Sequence, residues 1–306
     1  MTRFSCCPLC GSQKLDPLFE IAGQGVDRCS TCSLVLLNPQ PACPDDLLYS
    51  EGYYRGDCAV KERGQENVLD PARIERRLES CHGILGEIER VWGGKGRLLD
   101  LGCGPGFFLK AARDRGWKTA GADVSSFATA YARERYGIQE ILTGPLEEVA
   151  FPLESFDVVT LQHVIEHFRD PVRMVQRIRG WLVAGGLLWI ETPDIDSGTA
   201  KREGNNWMHI KVPEHLFYFS ERTLTRLLVG QGFEVCSAHR EVEGTGLLNA
   251  ACGSMDRARR FYERHKANPV FGVLVRAVRY ANELYKAGVK GESDVIRLLA
   301  KKVRGP

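Results

Sequence analysis

No stretch of this chain approaches the ~20 consecutive apolar residues that a membrane span requires, and the opening "MTRFSCCPLC" lacks the apolar core of a secretory signal. Both absences predict a cytoplasmic protein without a transmembrane segment. A strong charge of either sign is also missing. The 41 basic and 39 acidic residues leave a net charge of +2, too near balance to imply a nucleic-acid or membrane partner for the whole molecule. Any basic surface must be local. Nor is there a disulfide framework: the total of 11 cysteines is odd, and Cys58, Cys81, Cys103, Cys236 and Cys252 follow no regular spacing. A reducing compartment fits that scatter. The remaining composition, 43% hydrophobic and 26% charged over 306 residues, is that of a globular chain with room for one large domain and accessories.

The amino-terminal cysteines do show spacing. "CPLCG" and "RCSTCS" place Cys7, Cys10, Cys29 and Cys32 as two C-x-x-C pairs, each able to form a tight knuckle. Together they predict a zinc ribbon over 1–45 with a closed, structural Zn2+ site. Cys6 leaves the register of the first pair open, and Ser33 stands where such knuckles often carry glycine. So small a unit should have almost no apolar core, leaving the metal to hold it together with on the order of 10 kcal/mol. Its few basic residues (Arg3, Lys14, Arg28) are offset by Asp16, Glu20 and Asp27, a poor surface for phosphate.

The proline-rich "NPQPACPDD" and the tyrosine-rich "YSEGYYRGD" predict a linker and a loop, followed by a helix from Asp70 to Trp92 with Ile74, Leu78, Ile84, Leu85, Ile88 and Val91 at helical spacing. This loop and cap helix occupy 46–92. "GRLLDLGCGPGFFLKAARDRG" then reads as strand, glycine-rich turn and helix, the opening unit of a doubly wound sheet. "KTAGADVS" supplies a second strand ending in Asp123, and "IQEILTG", "FDVVTLQHV" and "GLLWIETP" supply three more, alternating with helical patterns. The expected fold class is α/β, a Rossmann-like sheet over 93–249. "FEVCSAHREV" gives a sixth strand. A basic helical insertion over 250–290, with Arg257, Arg259, Arg260, Arg264 and Lys266, precedes a closing strand within 291–306. The insertion's charge fits a solvated helix face, and the alternative is contact with an anionic substrate or a membrane surface.

"LLDLGCGPGFFL", "GADVS", "ESFDVVTLQHVIEHFRDP" and "GGLLWIETPD" resemble the ordered motifs of class I S-adenosylmethionine-dependent methyltransferases. With the paired cysteines, "GYY" and "PEHLFYFS", the chain is similar to a zinc-ribbon subgroup related to the ubiquinone-type O-methyltransferases. The resemblance implies an antiparallel last strand, the cofactor S-adenosyl-L-methionine and a methyl acceptor. It places Asp100, Gly102, Cys103, Gly104 and Gly106 around the methionine and ribose portions, Asp123 on the ribose hydroxyls, and Gln162 and His163 at the reacting sulfonium. Tyr53 or Tyr54 would close over the cofactor. Many relatives carry an aspartate for the adenine amino group where Pro145 stands, so that contact passes to the Leu146 backbone or a neighbour.

Two stretches concern the acceptor. In "HVIEH", His163, Glu166 and His167 would share one face of a helix and suit a divalent metal. Ubiquinone-type relatives carry a related E-x-x-E-H implicated in metal binding. The plain alternative is that these residues shape the cofactor pocket. The long irregular "DIDSGTAKREGNNWMHIKVPEHLFYF" leaves the carboxyl end of a strand, on the cofactor edge, and should form part of an acceptor pocket; Trp207, His209, Phe217 and Tyr218 either wall that pocket or, the plainer reading of each, pack the loop itself. Within it His215 is either a hydrogen-bonded core residue or a general base at the pocket mouth, with His167 in reserve. The expected acceptor is a small-molecule hydroxyl, of a sugar, phenol or lipid-linked precursor. An RNA methyltransferase using ribbon and insertion for binding, and a non-enzymatic partner subunit, are the other function classes. The balanced charge and the absence of an N-P-P-Y or cysteine-nucleophile motif disfavour the first, the intact glycine loop and Asp123 the second.

Overall fold

The computed structural model describes residues 2–41, 49–56, 67–241 and 294–303. The expected insertion over 250–290 lies outside the described residues. Three short strands come first: β1 (Leu15–Ile21), β2 (Gln24–Cys29) and β3 (Val35–Leu37). The tyrosine-rich segment, expected to be a loop, forms a short helix α1 (Glu51–Arg55), closed by Gly56 at φ 75°. Helix α2 (Pro71–Trp92) follows. Asp70 caps it, accepting from the backbone N–H groups of Ala72 and Arg73, and Gly93 ends it at φ 87°. Its buried face is Cys81, Ile84, Leu85 and Ile88; Val91, expected to join them, is exposed.

The α/β unit runs β4 (Arg97–Leu101), α3 (Phe107–Asp114), β5 (Lys118–Asp123), α4 (Ser126–Tyr136), β6 (Ile141–Thr143), β7 (Phe156–Gln162), α5 (Pro171–Trp181) and β8 (Leu182–Pro193). Then come a short helix α6 (Gly198–Glu203), a two-residue strand β9 (Phe217–Tyr218), α7 (Glu221–Gly230), β10 (Phe233–Glu241) and β11 (Val295–Lys302). The long stretch after β8 is thus less irregular than expected.

The main sheet has the order β10-β11-β8-β7-β4-β5-β6. Its strands pair in parallel from β8 to β6, while β11 is antiparallel to both neighbours. This is the doubly wound, Rossmann-like arrangement. Leu98 to Leu101 are all buried, as a central strand covered on both faces must be. The chain lays β5 and β6 to one side of β4 and then crosses to β7 and β8 on the other, which opens a crevice at the carboxyl end of β4.

A second, four-stranded sheet has the order β1-β2-β3-β9, so the segment containing "FYF" completes the ribbon. The expectation of a coreless ribbon is overturned here. Val26 and Leu34 to Leu37 are at most 1% exposed and share one apolar cluster with Phe217, Phe219 and the face of the main sheet. Strand pairing to β9 gives these residues a core that the amino-terminal segment alone does not possess.

Candidate active site

The loop after β4 is fixed by its own backbone. Gly102 and Cys103 both donate to the Ala122 carbonyl of β5, at 2.7 and 3.1 Å. Gly104 donates to Asp123 Oδ2 at 2.7 Å, and Ser125 donates to Oδ1 at 2.9 Å. Gly102 has φ 71°, and a side chain there would overlap Val164, so the loop needs glycine for conformation and for space. Gly106 precedes the first turn of α3, and the Cys103 thiol packs against Gly121. Beneath the loop Asp100 Oδ1 accepts from Thr160 at 2.6 Å, and burial pushes this carboxyl up to about 7. Burial also raises Asp123, against the pull of its two backbone donors.

A cavity of about 450 Å³ opens on this loop. Asp100, Gly102, Cys103, Gly104, Asp123, Leu146, Gln162, His163 and Tyr54 all line it, as the cofactor expectation requires; Gly106 is set back from the wall. Tyr54 is buried, its ring tilted 32° to that of Phe127 at 5.9 Å, and Ser125 Oγ donates to the Tyr49 carbonyl at 2.6 Å, which ties the tyrosine segment across the loop. Arg77 of α2, which the sequence did not single out, reaches the same wall and donates to Gln162 Oε1 at 3.4 Å.

The opposite wall brings together His163, His167, His209 and His215 with Lys211 and Glu214. Glu166 and His167 lie in a short 3-10 turn, Ile165–His167, and His163 precedes it at φ 53°. The expected helical face of His163, Glu166 and His167 therefore does not form. His163 instead sits between two carboxylates, Nε2 at 3.3 Å from Glu191 Oε1 and Nδ1 at 3.6 Å from Glu166 Oε1. Enclosure penalises its charge, but the two carboxylates outweigh that and raise it to about 10.

His215 takes the place beside Glu166 and His167 that His163 was expected to hold: one donor atom from each of the three lies within 4.8 Å of the others. The His167 and His215 rings meet edge to face at 4.8 Å. His215 is 4% exposed, inside the wall and not at the pocket mouth, and burial drives it well below its ordinary pKa. Burial thus favours the neutral imidazole and makes it a poor proton acceptor. His167 Nδ1 lies 2.9 Å from the Glu214 carbonyl, which can only accept, so Nδ1 is the donor of that bond. Among the described residues Glu166 Oε1, His215 Nδ1 and His209 Nε2 are buried without a hydrogen-bond partner. Trp207 and Phe217 pack the loop from behind and do not line the cavity; neither does Tyr218.

At the ribbon, Cys7 Sγ lies 3.5 Å from Cys32 Sγ and Cys10 Sγ 3.6 Å from Cys29 Sγ, and all four cluster within 4.8 Å. A tetrahedron with Zn–S near 2.3 Å has edges of about 3.8 Å, so the thiols fit a zinc ion. Gly11 and Ser33 close the two knuckles at φ 73° and 69°, which explains why glycine is usual at the position of Ser33. Cys6 points outward, which resolves the register in favour of Cys7.

A family described as a methyltransferase domain matches residues 74–238. A probable S-adenosylmethionine-dependent methyltransferase of Mycolicibacterium smegmatis is 31% identical over 150 residues, 49% of this chain and 56% of the relative. A ubiquinone biosynthesis O-methyltransferase of Actinobacillus pleuropneumoniae is 25% identical over 135 residues, 41% of this chain and 54% of the relative. The chain thus spans little more than half the length of these curated relatives. In solved structures, a chain from the complex of the Haloferax volcanii Trm112 methyltransferase activator with a methyltransferase is similar at TM-score 0.52 and 15% identity, covering 76% of this chain and 95% of that one.

Proposed function

The chain belongs to the methyltransferase-domain family, and from that premise we propose that it transfers a methyl group from S-adenosyl-L-methionine to a hydroxyl oxygen of a small molecule. One observation carries the reading: a single cavity joins the glycine loop, Asp100 and Asp123 on one side to the imidazoles of His167, His209 and His215 on the other. The O-methyltransferase among the relatives supports oxygen as the accepting atom. In this reading Asp123 holds the ribose hydroxyls, the loop from Gly102 to Gly106 receives the methionine and ribose portions, and the Leu146 segment borders the adenine.

Transfer is a direct displacement, in which alignment of acceptor, methyl and sulfur supplies roughly 7–11 kcal/mol. His215 and His167 both line the cavity; in this reading His215 orients the acceptor's hydroxyl and His167 takes its proton as the methyl leaves sulfur. A second reading of the same wall is favoured by the convergence of Glu166, His167 and His215: the three hold a divalent cation, which suits two imidazoles and a carboxylate. Thr192 occupies Glu166 Oε2 at 2.9 Å, while Oε1, which faces His163 Nδ1 at 3.6 Å without a hydrogen bond, is the oxygen that would reach the cation. The ribbon cysteines hold a structural zinc. The test is binding of S-adenosylmethionine by calorimetry, then methyl transfer to a panel of hydroxylated small molecules, with and without added divalent cations. No cofactor binding by folded protein sinks the proposal, and full activity in protein carrying only the ribbon zinc removes the second cation.

A further inference from the structure

The ribbon and the acceptor wall are joined by an unbroken line of backbone hydrogen bonds. The second cysteine knuckle runs into β3 with only Ser33 and Leu34 between, and the Cys29 N–H donates to the Leu34 carbonyl at 2.9 Å. β3 then pairs with β9 in the register Val35 to Tyr218 and Leu36 to Phe217. At the end of that ladder the Leu37 N–H donates to the Leu216 carbonyl at 2.9 Å, and the Leu216 N–H donates to the Glu166 carbonyl, also at 2.9 Å. His215 is the next residue, its own N–H held by the Lys211 carbonyl at 2.7 Å.

A strand of two residues has little stability of its own, and β9 pairs with no strand other than β3 among the described residues. Its side chains are equally dependent. Phe217 packs edge to face on Phe4 of the ribbon with centroids 6.2 Å apart, and Phe217 and Phe219 lie in the cluster that holds Leu34 to Leu37. The Cys32 carbonyl further accepts from Arg222 of α7 at 3.4 Å, on the element that follows β9. The cofactor half has no such dependence. Its loop is held by Ala122, Asp123 and Ser125, all on or beside β5.

We propose that the four-cysteine ribbon is a positioning element of the acceptor site: its closed knuckles fix β3, and β3 places His215 and Glu166 through β9. The proposal rests on the zinc and acceptor readings above, and it assigns the ribbon no contact with either substrate. Opening the knuckles frees β3 at its start, so the disturbance reaches the acceptor wall before it reaches the glycine loop.

The experiment uses the full chain, with zinc content measured first, so that absence of zinc is told apart from absence of coupling. Zinc is withdrawn with a chelator in the presence of a reductant that keeps the thiols free, and amide exchange and S-adenosylmethionine affinity are followed together. Exchange at Leu37 and across 216–218 should quicken at least about tenfold while cofactor affinity stays within about twofold, the signature of local and not global opening. Returning zinc should restore protection. Leu37→Pro, which keeps all four cysteines while removing the donor to Leu216 together with a buried side chain of the shared core, should raise exchange at 216–218 in the same way. Unchanged exchange in the metal-free chain overturns the proposal. So does a parallel loss of cofactor affinity, which would make the ribbon a prop for the whole fold. Neither readout needs methyl transfer, so failure to find an acceptor leaves the outcome legible.

Discussion

Gly102→Ala and Gly104→Ala form a pair that separates conformational cost from crowding. Both glycines are left-handed, at φ 71° and 49°, so alanine at either costs about 1–2 kcal/mol from its backbone alone. At Gly104 the new methyl meets nothing nearer than Tyr54 Cε1, at 4.0 Å. At Gly102 it overlaps Val164, a buried β-branched residue with little rotamer freedom, and overpacking of that kind adds about 1–3 kcal/mol. Gly104→Ala should therefore lower stability by about 1–2 kcal/mol and Gly102→Ala by about 2–5. Urea unfolding followed by circular dichroism measures both. Val164 leads into the turn that carries Glu166 and His167, so Gly102→Ala should also disturb the acceptor wall. Equal destabilisation by the two substitutions, or a larger effect at Gly104, would refute the packing argument.

Asp123→Asn should weaken cofactor binding by at least about tenfold, because an ionised acceptor for the ribose is lost and the amide can accept from only one of the two backbone donors, Gly104 and Ser125; unchanged affinity by calorimetry counts against the role. Asp100, raised to about 7 in the folded chain, holds a proton that the unfolded chain has already shed above about pH 4, so on this account stability falls as pH rises from about 4 to 7. The cationic cofactor favours the carboxylate, so its affinity should rise with pH up to about 7, and calorimetry near pH 6 in buffers of different ionisation heat should detect a released proton; no proton release would contradict this. Elemental analysis of anaerobically purified protein should find one zinc bound by Cys7, Cys10, Cys29 and Cys32, and Cys32→Ser should lose it while folded protein remains.

The strands and helices of the main sheet were legible because each has a local cause: buried runs for β4, β7 and β8, Asp70 before α2, and glycine wherever the cofactor loop turns left-handed. What the sequence hid depends on distant partners. The two residues of β9 carry no strand signal of their own, and only β3, far upstream, makes them a strand. Because that pairing was invisible, so was the ribbon's core, and His215 was expected at the pocket mouth. The helical spacing of His163, Glu166 and His167 misled for a related reason. His163 adopts a left-handed backbone and its N–H bonds to the Glu191 carbonyl at 2.8 Å, so the helix never starts there. Glu191 itself sits in "GLLWIETP", where nothing marks it as an ionic partner of a residue just past the end of the neighbouring strand.

That partnership supplies the last test. Arg297 of β11 donates to Glu191 at 2.6 Å, Glu191 faces His163, and His163 faces Glu166, a line of alternating charges across β11, β8 and the turn after β7. Buried ion pairs seldom stabilise a fold better than apolar residues of like volume, so such a line is better explained by what it holds in place. It ends at Glu166, which is 1% exposed and stands beside the acceptor imidazoles. Removing the cation from the middle leaves Glu166 with Thr192 as its side-chain partner. His163→Gln should thus destabilise the chain, though by less than the roughly 3–5 kcal/mol of a fully buried broken pair, because the His163 side chain is 32% exposed and solvent screens part of the loss. His163→Arg keeps the cation and should recover part of that stability. If glutamine is tolerated as well as arginine in denaturant unfolding, the charge of His163 does not hold Glu166, and its place on the cavity wall must be explained by contact with the cofactor alone.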